Sequence, residues 1–211
     1  MWSGNKETRV VVLADGQFPS SPQPLKILDA ASLVVACDGA AVKLMQYGRN
    51  PDWVAGDLDS LSDSLRHQWE NILVHDESQE TNDLTKALFF CAQKGYRHVA
   101  ILGATGLRED HTLGNIALLA EHGPLFDNLE IWTDYGRFIV LYASGSLPSY
   151  PGQQISLFST DPLVEIQTSG LKYPLQNRRL NSWWQGTLNE AESNSFSVSF
   201  QGGAVLVYMV Y

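Results

Sequence analysis

The sequence predicts an α/β fold, a mostly parallel sheet with helices on both faces (Rossmann-like), followed by a small all-β sandwich or jelly-roll-like domain. Three observations predict it. Residues 1–145 alternate short apolar runs with amphipathic stretches, the rhythm of strand and helix in a parallel sheet. The remaining residues, 146–211, offer only short, partly alternating runs bounded by Gly, Pro, Asn and Ser, as in sandwiches and barrels. The charge changes at the same place. Of 23 acidic and 14 basic residues in 211, which give a formal charge of −9, only 4 and 3 lie in 151–211. The stretch Ala143-Ser-Gly-Ser-Leu-Pro-Ser-Tyr-Pro-Gly152 between the halves is turn or linker chemistry, and the domain boundary is expected there.

In chain order, Arg9 to Ala14 and Leu33 to Cys37 are apolar runs that end in Asp-Gly, as buried parallel strands do before a turn. Pro24 to Ala31 and Ala40 to Tyr47 are helical, the second closed by Gly48. Asp52 to Ala55, Ile72 to Val74 and His98 to Leu102 are further strands. Ser60 to Glu70, Asp83 to Lys94 and Thr112 to His122 are further helices, the last two closed by Gly95 and Gly123. The helix from Asp83 buries Leu84, Ala87, Leu88 and Cys91, and the helix from Thr112 buries Leu113, Ile116, Ala117 and Ala120. In the tail, strands are expected at Ile155 to Phe158, Val164 to Thr168, Gly186 to Leu188, Phe196 to Phe200 and Val205 to Tyr211.

The 44% hydrophobic content suffices for a buried core. The longest apolar run, Ala204 to Tyr211, is far short of the roughly 20 residues that span a bilayer, so a soluble, cytoplasmic chain without membrane partners is expected. The acidic balance also argues against nucleic acid. Cys37 and Cys91 lie in apolar stretches without metal-ligand spacing and are expected to be free thiols.

The chemistry follows the strands. Gly56-Asp57-Leu58-Asp59-Ser60 sets two carboxylates at i and i+2 after a strand, hard oxygen ligands suited to Mg²⁺. The competing reading makes Asp59 or Ser60 a helix cap, which leaves Asp57 without a role. Asp83 opens a helix after another strand. It either serves the helix dipole or converges on Asp57 and Asp59. Gly103-Ala-Thr-Gly106-Leu-Arg108-Glu-Asp110-His111, with Asn115 one turn on, joins two glycines, a cation and a helix start, the makings of a phosphate site. Asp110 is alternatively an N-cap, and His111 a satisfied polar residue. Carboxylates for a divalent ion beside a phosphate cradle imply phosphoryl-type transfer from a nucleotide. Neither a Walker A motif nor the kinase catalytic set is present.

Asp38-Gly39-Ala-Ala41, Pro51-Asp52 leading to Gly56-Asp57-Leu-Asp59-Ser60, Asn82-Asp83, and Gly103-Ala-Thr-Gly106-Leu-Arg108-Glu-Asp110-His111 with Asn115 resemble, in this order, the thiamin pyrophosphokinase family. In the tail, Gly170-Leu-Lys-Tyr173-Pro-Leu and Ser193-Asn194 resemble its thiamin-binding elements. The resemblance implies homodimers with the active site at the interface, and transfer of a pyrophosphoryl group from ATP to thiamin with Mg²⁺. It implies Asp57, Asp59 and Asp83 as metal ligands and catalytic residues, with Asp110 also catalytic. Asp38, Gly39, Gly103, Gly106, Arg108, His111 and Asn115 would hold the nucleotide. Gln79, Tyr173, Ser193 and Asn194 would contact thiamin. Departures from the family pattern are Ala40 and Leu107 where it has glycine, Asn82 where it often has threonine, and Tyr173 where animal and yeast relatives carry tryptophan. A metal-dependent phosphoesterase acting on a nucleotide or phosphosugar is the alternative the same carboxylates would serve. A non-catalytic binding protein would have little need of them.

Overall fold

A computed structural model describes residues 9–75 and 80–211, and its chain is mixed α/β. It divides into two compact units, the first ending at Asp134 and the second running Tyr135–Tyr211. The division falls before the Gly/Ser/Pro-rich stretch because a strand unread in the sequence, Gly136–Leu141, pairs along its length with the C-terminal strand of the second unit.

In the first unit, β1 (Val10–Leu13), β2 (Leu33–Cys37), β3 (Trp53–Gly56), β4 (Leu73–His75), β5 (His98–Leu102) and β6 (Asn128–Trp132) pair in the order β6-β5-β1-β2-β3-β4. Every pairing is parallel. Between them run α1 (Pro22–Asp29), α2 (Ala40–Gln46), α3 (Asp63–Gln68), α4 (Asp83–Gln93) and α5 (Glu109–His122). The apolar runs fill the core: Val11, Leu13, Val34, Ala36, Val54 and Leu102 pack with Leu28, Leu44 and Trp69. The strand order turns back at β1, whose neighbours are β2 and β5, and a crevice is expected outside the carboxyl ends of β1 and β5. Among the described residues, no helix is long and apolar enough to cross a membrane.

Helix α4 buries Leu84, Ala87, Leu88 and Cys91 as its periodicity predicts. Helix α5 does not follow its prediction. It buries Leu119 and His122, while Leu113 is exposed. Its apolar residues surround the helix, so spacing alone does not choose a face. Strand β6 escaped notice because Asn128 and Glu130 interrupt its apolar pattern, although Glu130 is buried.

Asp134, just after β6, accepts the Ser20 and Ser21 N–H groups at 2.9 Å each and the Ser20 hydroxyl, which ties down the entry to α1. Burial pushes its carboxyl up, yet these donors together outweigh burial and hold it below the usual range. A depressed folded-state pKa adds stability that is present above the unfolded value and lost as pH falls through the folded one. Asp134→Ala should therefore lower the melting temperature at neutral pH by about 2–4 °C, for the roughly 1 kcal/mol of a lost cap. That deficit should shrink in melts below about pH 4, near the unperturbed value.

The second unit is antiparallel throughout. Strands β7 (Gly136–Leu141), β9 (Gln154–Ser159), β12 (Asn189–Glu190) and β14 (Val205–Val210) pair in the order β12-β9-β14-β7. Strands β8 (Gly145–Pro148), β10 (Glu165–Ser169), β11 (Arg178–Arg179) and β13 (Ser195–Ser199) pair as β11-β10-β13-β8. Alternate residues turn inward: Ile155 and Leu157 from β9, Ile166 from β10, and Phe196 and Val198 from β13 form one core with Val205, Val207 and Met209. The strand expected at Gly186 to Leu188 is absent. A 3₁₀ turn, Trp183–Gly186, is closed by a Ser182/Gln185 capping box, and pairing starts only at Asn189.

Candidate active site

The carboxyl ends of β2 and β3 and the start of α4 bring three acids together. Oxygens of Asp38, Asp57 and Asp83 lie within 4.8 Å of one another. Asp38 follows β2 in a left-handed conformation (φ 34°), strained for a non-glycine residue. It is buried, its Oδ2 accepts the Ser60 N–H at 3.2 Å, and its Oδ1 has no hydrogen-bond partner. A buried carboxylate oxygen without a donor is costly unless a ligand completes it. Gly56 makes the approach possible. Its φ is +152°, and a Cβ there would sit 3.1 Å from the Asp83 carboxyl and 3.2 Å from Asp38 Cβ.

Asp59 does not share the cluster. Leu58 also turns left-handed (φ 67°) and sends its side chain into the core. The Asp59 carboxyl is 82% exposed and 3.9 Å from Arg66 Nη2, while its N–H donates to Asp57 Oδ1 at 3.1 Å. Neither Asp59 nor Ser60 caps the following helix, whose N-cap position is Ser62. Asp83 sits in the first turn of α4, with Asn82 as the N-cap accepting from the Thr85 N–H at 2.9 Å. Burial pushes the Asp83 carboxyl up; Lys86 pulls it back, and Asp57 and Asp38 raise it again.

Lys86 is a site residue the sequence reading passed over. One turn after Asp83, its side chain is 3% exposed and its Nζ is 3.5 Å from Asp83 Oδ1. The i,i+3 spacing from a suspect acid is the signal that would have found it. Beneath the cluster, Cys37 Sγ faces the Asp83 carbonyl at 3.7 Å, and burial, then Asp83, raises its thiol well above the ordinary value. Cys91 is likewise free, its thiol pushed up to about 12 by burial.

A cavity of about 610 Å³ opens beside these groups, in the range usual for small-molecule sites. Asp57, Asp83 and Lys86 line one part of it, and the turn after β1 and the loop after β5 line another. These two segments are stitched together: the Gly16 N–H donates to the Gly103 carbonyl at 2.7 Å and the Gln17 N–H to the Thr105 carbonyl at 2.9 Å. Gly103 has φ +66°, and a Cβ there would meet the Ala14 carbonyl at 2.5 Å, so no other residue fits this crossing. Gly106 packs on Gln17, and Gly39 occupies the N-cap position of α2.

Arg108 grips Asp110 at two points, Nη2 to Oδ2 at 2.6 Å and Nε to Oδ1 at 3.1 Å. That contact, with the His111 N–H donating to Asp110 Oδ1 at 2.9 Å, lowers the Asp110 carboxyl to about 2. Asp110 is not the N-cap of α5, a position held by Arg108. His111 is exposed and lines the cavity. Asn115 donates from Nδ2 to the Ala104 carbonyl at 2.8 Å and so holds the loop after β5. Gln79 lies outside the described residues.

In the second unit, Tyr173 stands 61% exposed with Lys172 Nζ 5.9 Å from its ring centre. Its backbone is held on both sides by buried Asn189, another residue the sequence reading missed: Oδ1 accepts the Tyr173 N–H at 3.1 Å and Nδ2 donates to its carbonyl at 2.8 Å. Ser193 and Asn194 lie in the turn between β12 and β13. The Ser193 hydroxyl donates to the Ser195 carbonyl at 2.8 Å, and Ser149 donates to the Ser193 and Asn194 carbonyls. Trp183 and Trp184 are exposed.

Comparison with known proteins gives two family matches: "Thiamin pyrophosphokinase, catalytic domain" over residues 25–133, and "Thiamin pyrophosphokinase, substrate-binding domain" over 136–208. A thiamine pyrophosphokinase of Bacillus subtilis is 28% identical over 175 residues, which cover 79% of this chain and 81% of that protein. Thiamine pyrophosphokinase 1 of Oryza sativa subsp. japonica is 30% identical over 130 residues, 49% of this chain and 47% of that protein. Among solved structures, the Bacillus subtilis thiamine pyrophosphokinase superposes with a TM-score of 0.80 at 24% identity, covering 96% of this chain and 98% of that one; at this identity the likeness speaks for the fold alone.

Proposed function

The chain belongs to the thiamin pyrophosphokinase family, and from that premise we propose how its residues carry the transfer of a pyrophosphoryl group from ATP to the thiamin hydroxyl, giving thiamin diphosphate and AMP. The observation that carries the reading is the acid trio, two of whose members, Asp57 and Asp83, line the cavity, while the third, Asp38, has a carboxylate oxygen within 4.8 Å of theirs and a buried Oδ1 without a hydrogen-bond donor. Hard carboxylate oxygens at this spacing suit Mg²⁺. Asp57 and Asp83 would hold it together with Asp38, and Asp59 would join by turning from its loose, exposed contact with Arg66, which costs little to break. When bound, the ion neutralises charge on the phosphate oxygens of ATP and orients them.

The protein's own groups do the rest. Backbone N–H groups of the loop from Gly103 to Gly106, the N-terminus of α5 and Arg108 cradle the nucleotide, with Gly39, His111 and Asn115 at the same edge. Lys86, buried beside Asp83, stabilises the charge that grows as the thiamin oxygen bonds to the β-phosphorus and the bond to the AMP oxygen breaks. AMP takes the bonding electron pair, and the attacking hydroxyl releases its proton to solvent as the new bond forms. Asp110 keeps Arg108 in place rather than taking that proton. Most of the barrier reduction comes from positioning and electrostatics.

Thiamin brings a fixed cation, which an acidic, aromatic-lined site favours. Tyr173 would stack on it, with Ser193, Asn194 and Gln79 alongside, the second unit reaching the site from the partner in a homodimer. On this reading the first unit is a Rossmann-like catalytic domain with helices on both faces, the second a β-sandwich for thiamin binding and dimerisation, and the enzyme works in the cytoplasm.

The experiment is direct. AMP should appear from ATP only when both thiamin and Mg²⁺ are present, one AMP for each thiamin diphosphate. A phosphoesterase would release product without thiamin, and that result would overturn the reading.

A further inference from the structure

We propose that Lys43 is a positioning residue for the nucleotide, one that neutralises Asp15 and ties the turn after β1 into a surface on which a polyphosphate can lie. This rests on the reading of the cavity as the ATP site. Asp15 lines that cavity but stands outside the acid trio, so it has no cation of its own among the proposed metal ligands. A bare carboxylate there would repel the phosphates the loop after β5 is built to hold.

The structure supplies the counter-charge from α2. Lys43 Nζ lies 2.8 Å from Asp15 Oδ1, 3.0 Å from the Asp15 carbonyl and 2.8 Å from the Gly16 carbonyl. An ammonium has three protons, and all three find a partner on this one turn. A half-exposed ion pair alone contributes little. A three-point tie that also holds two backbone carbonyls does more, because the same turn is fastened to the loop after β5 through Gly16 and Gln17. Asp15 also packs directly over the start of α2, since a Cβ on Gly39 would stand 2.7 Å from its Oδ2. Gly39 and Lys43, one helical turn apart, thus clasp Asp15 from below and from the side. A lysine placed at a phosphate site is ordinarily available to the ligand; here it is engaged by the protein, which marks a positioning role rather than direct contact.

Steady-state kinetics of the full chain with Mg²⁺, ATP and thiamin test this. Lys43→Met should raise the KM for ATP at least about tenfold while the KM for thiamin stays within about twofold. Adding Asp15→Asn should bring the ATP KM back to within about threefold of wild type, because the uncompensated charge is gone. A purely packing role for Lys43 gives no such rescue, so a double variant as poor as the single one overturns the proposal, as does an unchanged ATP KM in Lys43→Met. Lys43→Gln keeps amide donors for the two carbonyls without the charge. If Lys43→Met fails to fold, this variant carries the test, with the same rise and the same rescue expected. Lys86→Met separates the two levels of inference. If it lowers kcat/KM for ATP and Lys43→Met leaves the ATP KM unchanged, the role of Lys43 falls alone; if Lys86→Met leaves kcat/KM for ATP unchanged as well, the cavity is not the nucleotide site.

Discussion

Asp57→Asn should abolish thiamin diphosphate formation, with kcat/KM falling at least about 10³-fold, or about 4 kcal/mol of barrier, while the ligand-free protein becomes more stable. The two effects have one cause. Asp38, Asp57 and Asp83 bring their oxygens within 4.8 Å of one another, and burial together with the neighbouring acids pushes the Asp83 carboxyl up despite Lys86. On the proposed metal-site reading, three anions held this close repel each other in the ligand-free protein, and the cation relieves that repulsion. An amide at position 57 keeps the shape and removes one charge. Relief of about 1 kcal/mol would raise the melting temperature of the ligand-free protein by about 2–4 °C for a chain of this size. Mg²⁺ should then raise the melting temperature of wild type and leave that of the variant nearly unchanged. Thermal melts with and without Mg²⁺ check this, and a variant less stable in both conditions would make Asp57 a structural residue.

Lys86→Met should lower kcat/KM for ATP about 10²-fold, close to 2.7 kcal/mol. Lys86 is a buried cation whose partner is itself in the cluster. Without it Asp83 keeps two anionic neighbours and loses its compensation, so its carboxyl should titrate higher still. The anionic form is the one that binds metal. The acid limb of Mg²⁺ affinity should therefore move to higher pH in the variant, a shift that loss of packing alone does not produce. Calorimetric Mg²⁺ titrations across pH measure this.

These residues also show where sequence is informative. Strands β1, β2 and β5 were readable because burial on both faces makes continuous apolar runs, and the acids were readable because they follow those runs. Helix α4 showed its buried face because Leu84, Ala87, Leu88 and Cys91 recur at helical spacing. Strand β6 and the buried side of α5 were not readable, since Glu130 interrupts one pattern and apolar residues encircle the other. Asp57 and Asp59 look alike in sequence, yet the left-handed turn at Leu58 separates them, with one carboxyl in the cluster and the other exposed. Lys43 and Asn189 act on turns 28 and 16 residues away, and such clasps leave no periodic trace.

On the proposed function, Asp38, Asp57 and Asp83 form a divalent-cation site facing the nucleotide. A crystal structure of the protein with Mn²⁺, a non-hydrolysable ATP analogue and thiamin tests it most directly, since Mn²⁺ takes the same oxygen ligands as Mg²⁺ and is located by its anomalous signal. An anomalous peak bonded to carboxylate oxygens of this trio and to phosphate oxygens of the analogue is expected. A nucleotide bound in the cavity with its Mn²⁺ peak away from all three carboxylates would contradict it.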